Sequence, residues 1–215
     1  MIADDAPGIR LSVGVSGSGK TYGQTQAIMR SARHFPVIVA DIMHEWTTGD
    51  AGAKNVAQAV DAISRGARLV ILRCGDDIEV VSEELCAWAT TTAGVAGIAF
   101  PEAHHSFPNV KLTGAKINAM LAWRHKRVAM WMDTQRLANL NRSATEQAGD
   151  LRLYATVGEL DLKRVKEIGG SALVTEIHKC SAKLVEGERG WHVSLSASRL
   201  PPYRAQRVDY KTGGY

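Results

Sequence analysis

Apolar residues recur along the chain in short runs, separated by longer stretches of helical periodicity. The runs at 9–13 (Ile-Arg-Leu-Ser-Val), 37–41, 68–72, 95–100, 128–134 and 151–155 have the length of buried strands. Between them, apolar positions three and four apart predict helices over 21–33, 53–66, 78–92, 115–127 and 160–168, with a further short helix after 134. A hairpin is expected around Glu186-Gly187-Glu188-Arg189-Gly190. Strands alternating with helices imply right-handed crossovers and a mainly parallel sheet with helices on both faces, an α/β fold. Beyond Leu200, the segment PPYRAQRVDYKTGGY reads as extended and basic through Arg204, Arg207 and Lys211. A single domain is therefore placed at 1–200 and a basic, flexible tail at 201–215.

Composition narrows the class. At 215 residues, 45% of them hydrophobic, the chain suits one domain with a full core. No stretch approaches the roughly 20 apolar residues of a membrane helix, and MIADDAPGIR lacks the basic-then-apolar order of a signal peptide. A soluble, cytoplasmic protein without a membrane segment is expected. Cys74, Cys86 and Cys180 are odd in number and show no C-x-x-C spacing, which points to reduced thiols rather than disulfides or zinc. A net charge of +4 permits a polyanionic partner without requiring one.

The first strand-to-helix junction carries the strongest chemical signal. GVSGSGKT fills the pattern G-x-x-x-x-G-K-[ST] with Gly14, Val15, Ser16, Gly17, Ser18, Gly19, Lys20 and Thr21. Glycines let the backbone curl so that successive N–H groups face one anion, and the following helix adds its positive end. Lys20 is expected on the outer phosphates of a nucleoside triphosphate, ATP, and the Thr21 hydroxyl on its Mg²⁺.

Hydrolysis also needs a carboxylate that orients water. In VAGIAFPEAHHSF an apolar run ends at Pro101-Glu102, and Glu102 is the candidate, both for polarising water and, with Thr21, for holding the metal. Pro101 occupies the place where an aspartate for the magnesium shell is commonly found. Three readings stay open: Glu102 serves both roles, a carboxylate such as Asp41 stands in, or turnover is slow. Gln135, closing the run Val128 to Thr134, is placed to sense the terminal phosphate. The cluster Trp123-Arg124-His125-Lys126-Arg127 complements a helix dipole in its plain reading. In its sharper reading Arg124, with Arg127 second, projects into a neighbouring subunit's site as an arginine finger.

Taken together, GVSGSGKT, the glutamate in PEAHH, and a basic helix end leading into a strand closed by TQR resemble the FtsK/HerA branch of RecA-like P-loop ATPases, over residues 9–155. The resemblance implies a RecA-like (ASCE) core, ATP and Mg²⁺ as ligands, and the roles given above for Lys20, Thr21, Glu102, Gln135 and Arg124. It also implies a homo-oligomeric ring of five or six subunits acting on double-stranded DNA. The small size is similar to that of the viral genome-packaging ATPases of this branch, which implies a portal or vertex protein as partner and a place in the host cytoplasm or the virion. The alternative is a zonula-occludens-toxin-like morphogenesis factor that uses nucleotide as an assembly or conformational switch. A DNA pore would be lined by the loop holding His104, His105 and Lys111 and by the stretch from Arg136 to Arg142, including Asn139 and Asn141.

Overall fold

The computed structural model describes residues 7–73, 77–121, 123–196 and 200–208, without the side chains of Arg124 and Lys126. Nine strands form one sheet: β1 (Gly8–Val13), β2 (Val37–Ala40), β3 (Ala51–Ala53), β4 (Leu69–Leu72), β5 (Ala96–Phe100), β6 (Val128–Thr134), β7 (Asp150–Tyr154), β8 (Trp191–Ser196) and β9 (Ala205–Arg207). Their spatial order is β3-β4-β2-β5-β6-β1-β7-β8-β9. All pairs from β3 to β7 are parallel, and β8 and β9 add antiparallel to that edge. Strand β6 thus lies between β1 and β5.

The helices are α1 (Lys20–Ser31), α2 (Val56–Ser64), α3 (Ile78–Thr91), α4 (Gly114–Leu121), α5 (Trp123–Lys126), α6 (Arg142–Gln147) and α7 (Glu159–Val185), with a 3-10 turn at Leu137–Asn139. Residue alternation divides the sheet between two cores. In β2, Val37 and Val39 face Ala27 and Ile28 of α1, with Trp131 of β6 in the same cluster. Ile38 and Ala40 belong to the larger cluster on the other face, with residues of α2, α3, α4, α6 and α7. Local signals set several ends. Asn55 caps α2 by accepting the Gln58 N–H at 2.9 Å, and Asn141 caps α6 by accepting from Ser143 at 3.0 Å.

Four features depart from the sequence pattern. The three-residue strand β3 is an addition. Helix α7 does not end at 168: it breaks at Gly169 and Gly170, whose backbones are non-helical, and resumes to Val185 with Leu173, Ile177 and Cys180 buried. The segment at 186–190 is the turn from α7 into β8, not a hairpin, because β8 pairs with β7. Finally, part of the expected tail, Ala205–Arg207, is sheet, and Val208 is buried; residues 209–215, with Lys211, lie outside the described residues, as does Cys74. Cys86 and Cys180 are buried free thiols, and burial pushes both up to about 12. Among the described residues no helix is long and apolar enough to cross a membrane.

Candidate nucleotide-binding site

The loop from Gly14 to Gly19 leaves the C-terminal end of β1 and opens α1, the end of a parallel sheet where ligands collect. Its base is pinned to both neighbouring strand ends: Gly14 N–H donates to Thr134 O (3.1 Å) and Val15 N–H to Ala155 O (2.9 Å). A Cβ at Gly14 would come within 2.6 Å of Tyr154 Cβ, so this close approach admits only glycine. Gly17 and Gly19 have φ of 76° and 93°, which curls the loop back over the helix start. Among the described residues the N–H groups of Gly17 and Gly19 take no backbone partner, and the first turn of α1 leaves its own amides over. The Ser18 hydroxyl is buried and unpartnered.

Lys20 is 6% exposed although it is a lysine, because its ammonium turns inward. It lies 3.8 Å from Glu102 Oε1, 3.8 Å from Asp133 Oδ1 and 3.3 Å from the Thr21 hydroxyl. Free amides, a helix N-terminus, an inward lysine and an orphan hydroxyl form a donor set suited to a polyphosphate. The Thr21 hydroxyl, with Asp133 Oδ2 3.4 Å from it and Glu102 in the same cleft, offers hard oxygens of the kind Mg²⁺ takes.

Glu102 follows β5 with φ of 50°, a conformation that costs a non-glycine residue energy and turns its side chain into the cleft. Gln135 Nε2 donates to Glu102 Oε1 at 2.7 Å, and Gln135 N–H reaches Oε2 at 3.4 Å. His104 Nδ1 lies 3.4 Å from Oε2 and 3.0 Å from the Thr134 hydroxyl. Burial holds the His104 imidazole below its ordinary value, and the neighbouring His105 adds to this; Glu102 opposes both.

Asp133 was not singled out from the sequence, yet it sits at the centre of the site. It is 2% exposed at the end of β6. Burial pushes its carboxyl up, against the pull of Lys20. An acid inside the apolar run Val-Ala-Met-Trp-Met-Asp-Thr is the signal that could have found it. Asp41 also lines the cleft, but its two oxygens accept Glu45 N–H and Trp46 N–H, both at 3.1 Å. The cleft is open, ≈ 730 Å³, and Arg189 from the α7–β8 turn reaches its wall. That turn is fixed to the loop, since Gly190 N–H donates to Ser18 O at 2.9 Å.

Other expected residues lie elsewhere. Arg124 is on α5, just before the N-terminal end of β6, whereas Gln135 follows its C-terminal end. The seven-residue strand puts roughly 20 Å between those ends, so Arg124 starts from the end of β6 far from the cleft; its side chain lies outside the described residues. The two segments expected at a pore meet. Asn109 N–H donates to Asn139 O (2.8 Å), Asn141 N–H to Phe107 O (2.9 Å), and Asn141 Nδ2 to Val110 O (2.7 Å). Asn141 therefore braces this unit, while His105, Lys111, Arg136 and Asn139 are exposed on it.

The fold is that of RecA-like P-loop NTPases: a mainly parallel sheet flanked by helices, with a glycine-rich loop between β1 and α1. No protein-family model matches the sequence, and no curated protein matches it. Solved structures do. The genome packaging NTPase B204 from Sulfolobus turreted icosahedral virus 2, in complex with AMPPCP, superposes with a TM-score of 0.75 at 19% identity, over 94% of this chain and 98% of that one. VirB4 of Thermoanaerobacter pseudethanolicus gives a TM-score of 0.58 at 9% identity, over 95% and 91%. The N-terminal domain of zonular occludens toxin from Neisseria meningitidis gives 0.52 at 12% identity, over 96% of each chain. At these identities the likeness is one of fold.

Proposed function

We propose that this chain binds ATP with Mg²⁺ at the Gly14 to Thr21 loop and hydrolyses it, as a subunit of an oligomeric ring that moves double-stranded DNA. The observation that carries the reading is the convergence of Lys20, Thr21, Glu102 and Gln135 in one cleft at the C-terminal ends of β1, β5 and β6. The likeness to B204, described as a genome packaging NTPase, supports DNA as the cargo and a viral particle as the setting.

The loop amides and Lys20 hold the phosphates and neutralise charge that grows on the leaving group. Thr21 and a neighbouring carboxylate would hold Mg²⁺, which when bound screens the phosphate oxygens and fixes their geometry. Glu102, oriented by Gln135, takes hydrogen bonds from the attacking water and accepts its proton. Gln135 links that carboxylate to the Arg136–Arg142 stretch, so phosphate loss is transmitted to the exposed unit that faces DNA. Arg124 serves a neighbouring subunit, which makes a five- or six-membered ring necessary for full turnover. A portal or vertex protein would dock the ring.

ATP turnover with and without duplex DNA, over a salt series, tests this. Stimulation that fades as salt rises supports the motor, because phosphate contacts are salt-sensitive. Turnover indifferent to DNA favours the switch reading, for which the likeness to the zonular occludens toxin domain speaks.

A further inference from the structure

A site that splits a magnesium-bound triphosphate has work for two acids, one near the metal and one on the water. At the end of β5 the chain supplies only one, since Pro101 precedes Glu102. Both oxygens of Glu102 are already engaged, Oε1 by Gln135 Nε2 and Oε2 by Gln135 N–H and His104. Asp41 is committed to its own loop, where each oxygen accepts a backbone N–H.

Sheet register offers another source. Phe100 pairs with Met132, so one step further along the two parallel strands Asp133 stands beside Pro101. On its other side Asp133 pairs with Ser12, two residues before Gly14. Asp133 Oδ2 accepts the Thr21 hydroxyl at 3.4 Å, and Oδ1 accepts Glu102 N–H at 3.1 Å. Its backbone oxygen accepts Ala103 N–H at 2.6 Å, which locks the two strand ends together. One carboxylate thus touches both the hydroxyl expected on the metal and the backbone of the residue expected on the water. It is also under-compensated: for a carboxylate 2% exposed, its cationic partner is Lys20 at 3.8 Å, the ammonium that a bound triphosphate would draw toward itself.

We infer that Asp133, supplied by β6 rather than β5, is the magnesium-positioning carboxylate of this site, acting through and beside Thr21. The inference rests on the nucleotide reading above and deepens it. Substitution by asparagine keeps an acceptor for Glu102 N–H but removes the charge that a dication needs.

The test is equilibrium binding of a fluorescent, non-hydrolysable ATP analogue to the full chain, measured with Mg²⁺ and with EDTA. In Asp133→Asn the tightening produced by Mg²⁺ should shrink by at least about tenfold, while affinity in EDTA stays within about twofold of wild type. Asp41→Asn should keep the full effect. If Asp133→Asn does not unfold cooperatively, Asp133→Ser is read by the same ratio. An undiminished Mg²⁺ effect in the Asp133 variant, or equal losses with and without Mg²⁺, overturns the inference, as does loss of the Mg²⁺ effect in Glu102→Gln alone. Each of those results leaves nucleotide binding by wild type intact. Wild type that retains no analogue under either condition would instead remove the nucleotide reading, and this inference with it.

Discussion

Gln135 Nε2 donates to Glu102 Oε1 across 2.7 Å, joining the ends of β6 and β5 inside the cleft. This bond orients the carboxylate proposed to hold the water, from the strand that leads on to the Arg136 to Arg142 stretch, where Arg136, Asn139 and Arg142 are exposed and Leu137 and Leu140 are buried. Gln135→Ala should lower kcat by about 10- to 100-fold with little change in KM, since it frees the base without touching the phosphates. Steady-state kinetics check this. A large rise in KM at unchanged kcat would place Gln135 on the nucleotide instead.

Arg189 shares the cleft wall with the loop, and Gly190 N–H fixes its turn to Ser18 O at 2.9 Å. Arg189 is an exposed cation on that wall. Arg189→Ala is expected to weaken binding of an ATP analogue by a few fold, roughly the worth of one screened charged contact. Isothermal titration at two salt concentrations measures it, with a smaller difference at the higher salt.

His192 gives the fold a pH dependence. It is buried, stacked on Tyr154 with ring centroids 5.0 Å apart, and its Nδ1 donates to Gly190 O at 3.1 Å. Burial lowers its pKa to about 4. The folded state favours the neutral ring, so the unfolded chain takes the proton first as pH falls. This contribution is intact above about 6.5, is lost progressively between there and about 4, and is worth at most about 3 kcal/mol. Urea unfolding across that range should show the decline, and His192→Phe should flatten it.

The position of α5, remote from its own cleft, makes Arg124 a matter of assembly. Arg124→Ala and Glu102→Gln subunits, each inactive alone, should recover a part of wild-type turnover when mixed, because a ring then contains interfaces with one intact finger and one intact base. A mixture as inactive as its components would exclude a role across the interface.

How much of this was legible in the sequence depended on distance along the chain. The glycine-rich loop was readable because its glycines, Lys20 and Thr21 are contiguous and their conformations are local. Glu102 and Gln135 were readable as polar residues closing apolar runs, which a parallel sheet brings together at one end, here in one cleft. Asp133 was not, because an acid within such a run gains meaning only when register sets it beside Pro101. Arg189 was not either: its approach to the loop depends on α7 continuing past Gly169 and Gly170, glycines that read as a helix end. The antiparallel β8 and β9 were hidden for a related reason. Ser194, Ser196 and Gln206 interrupt the apolar pattern, and the pairing with β7 holds the edge in place.

In the proposed function Glu102 activates the water that cleaves a triphosphate held by the Gly14 to Thr21 loop. Single-turnover phosphate release from MgATP, measured beside binding of the same nucleotide, tests it most directly. Wild type should bind and release phosphate, Lys20→Ala should fail to bind, and Glu102→Gln should bind as wild type does but release phosphate at least about 100-fold more slowly. Phosphate release by Glu102→Gln at the wild-type rate would contradict it.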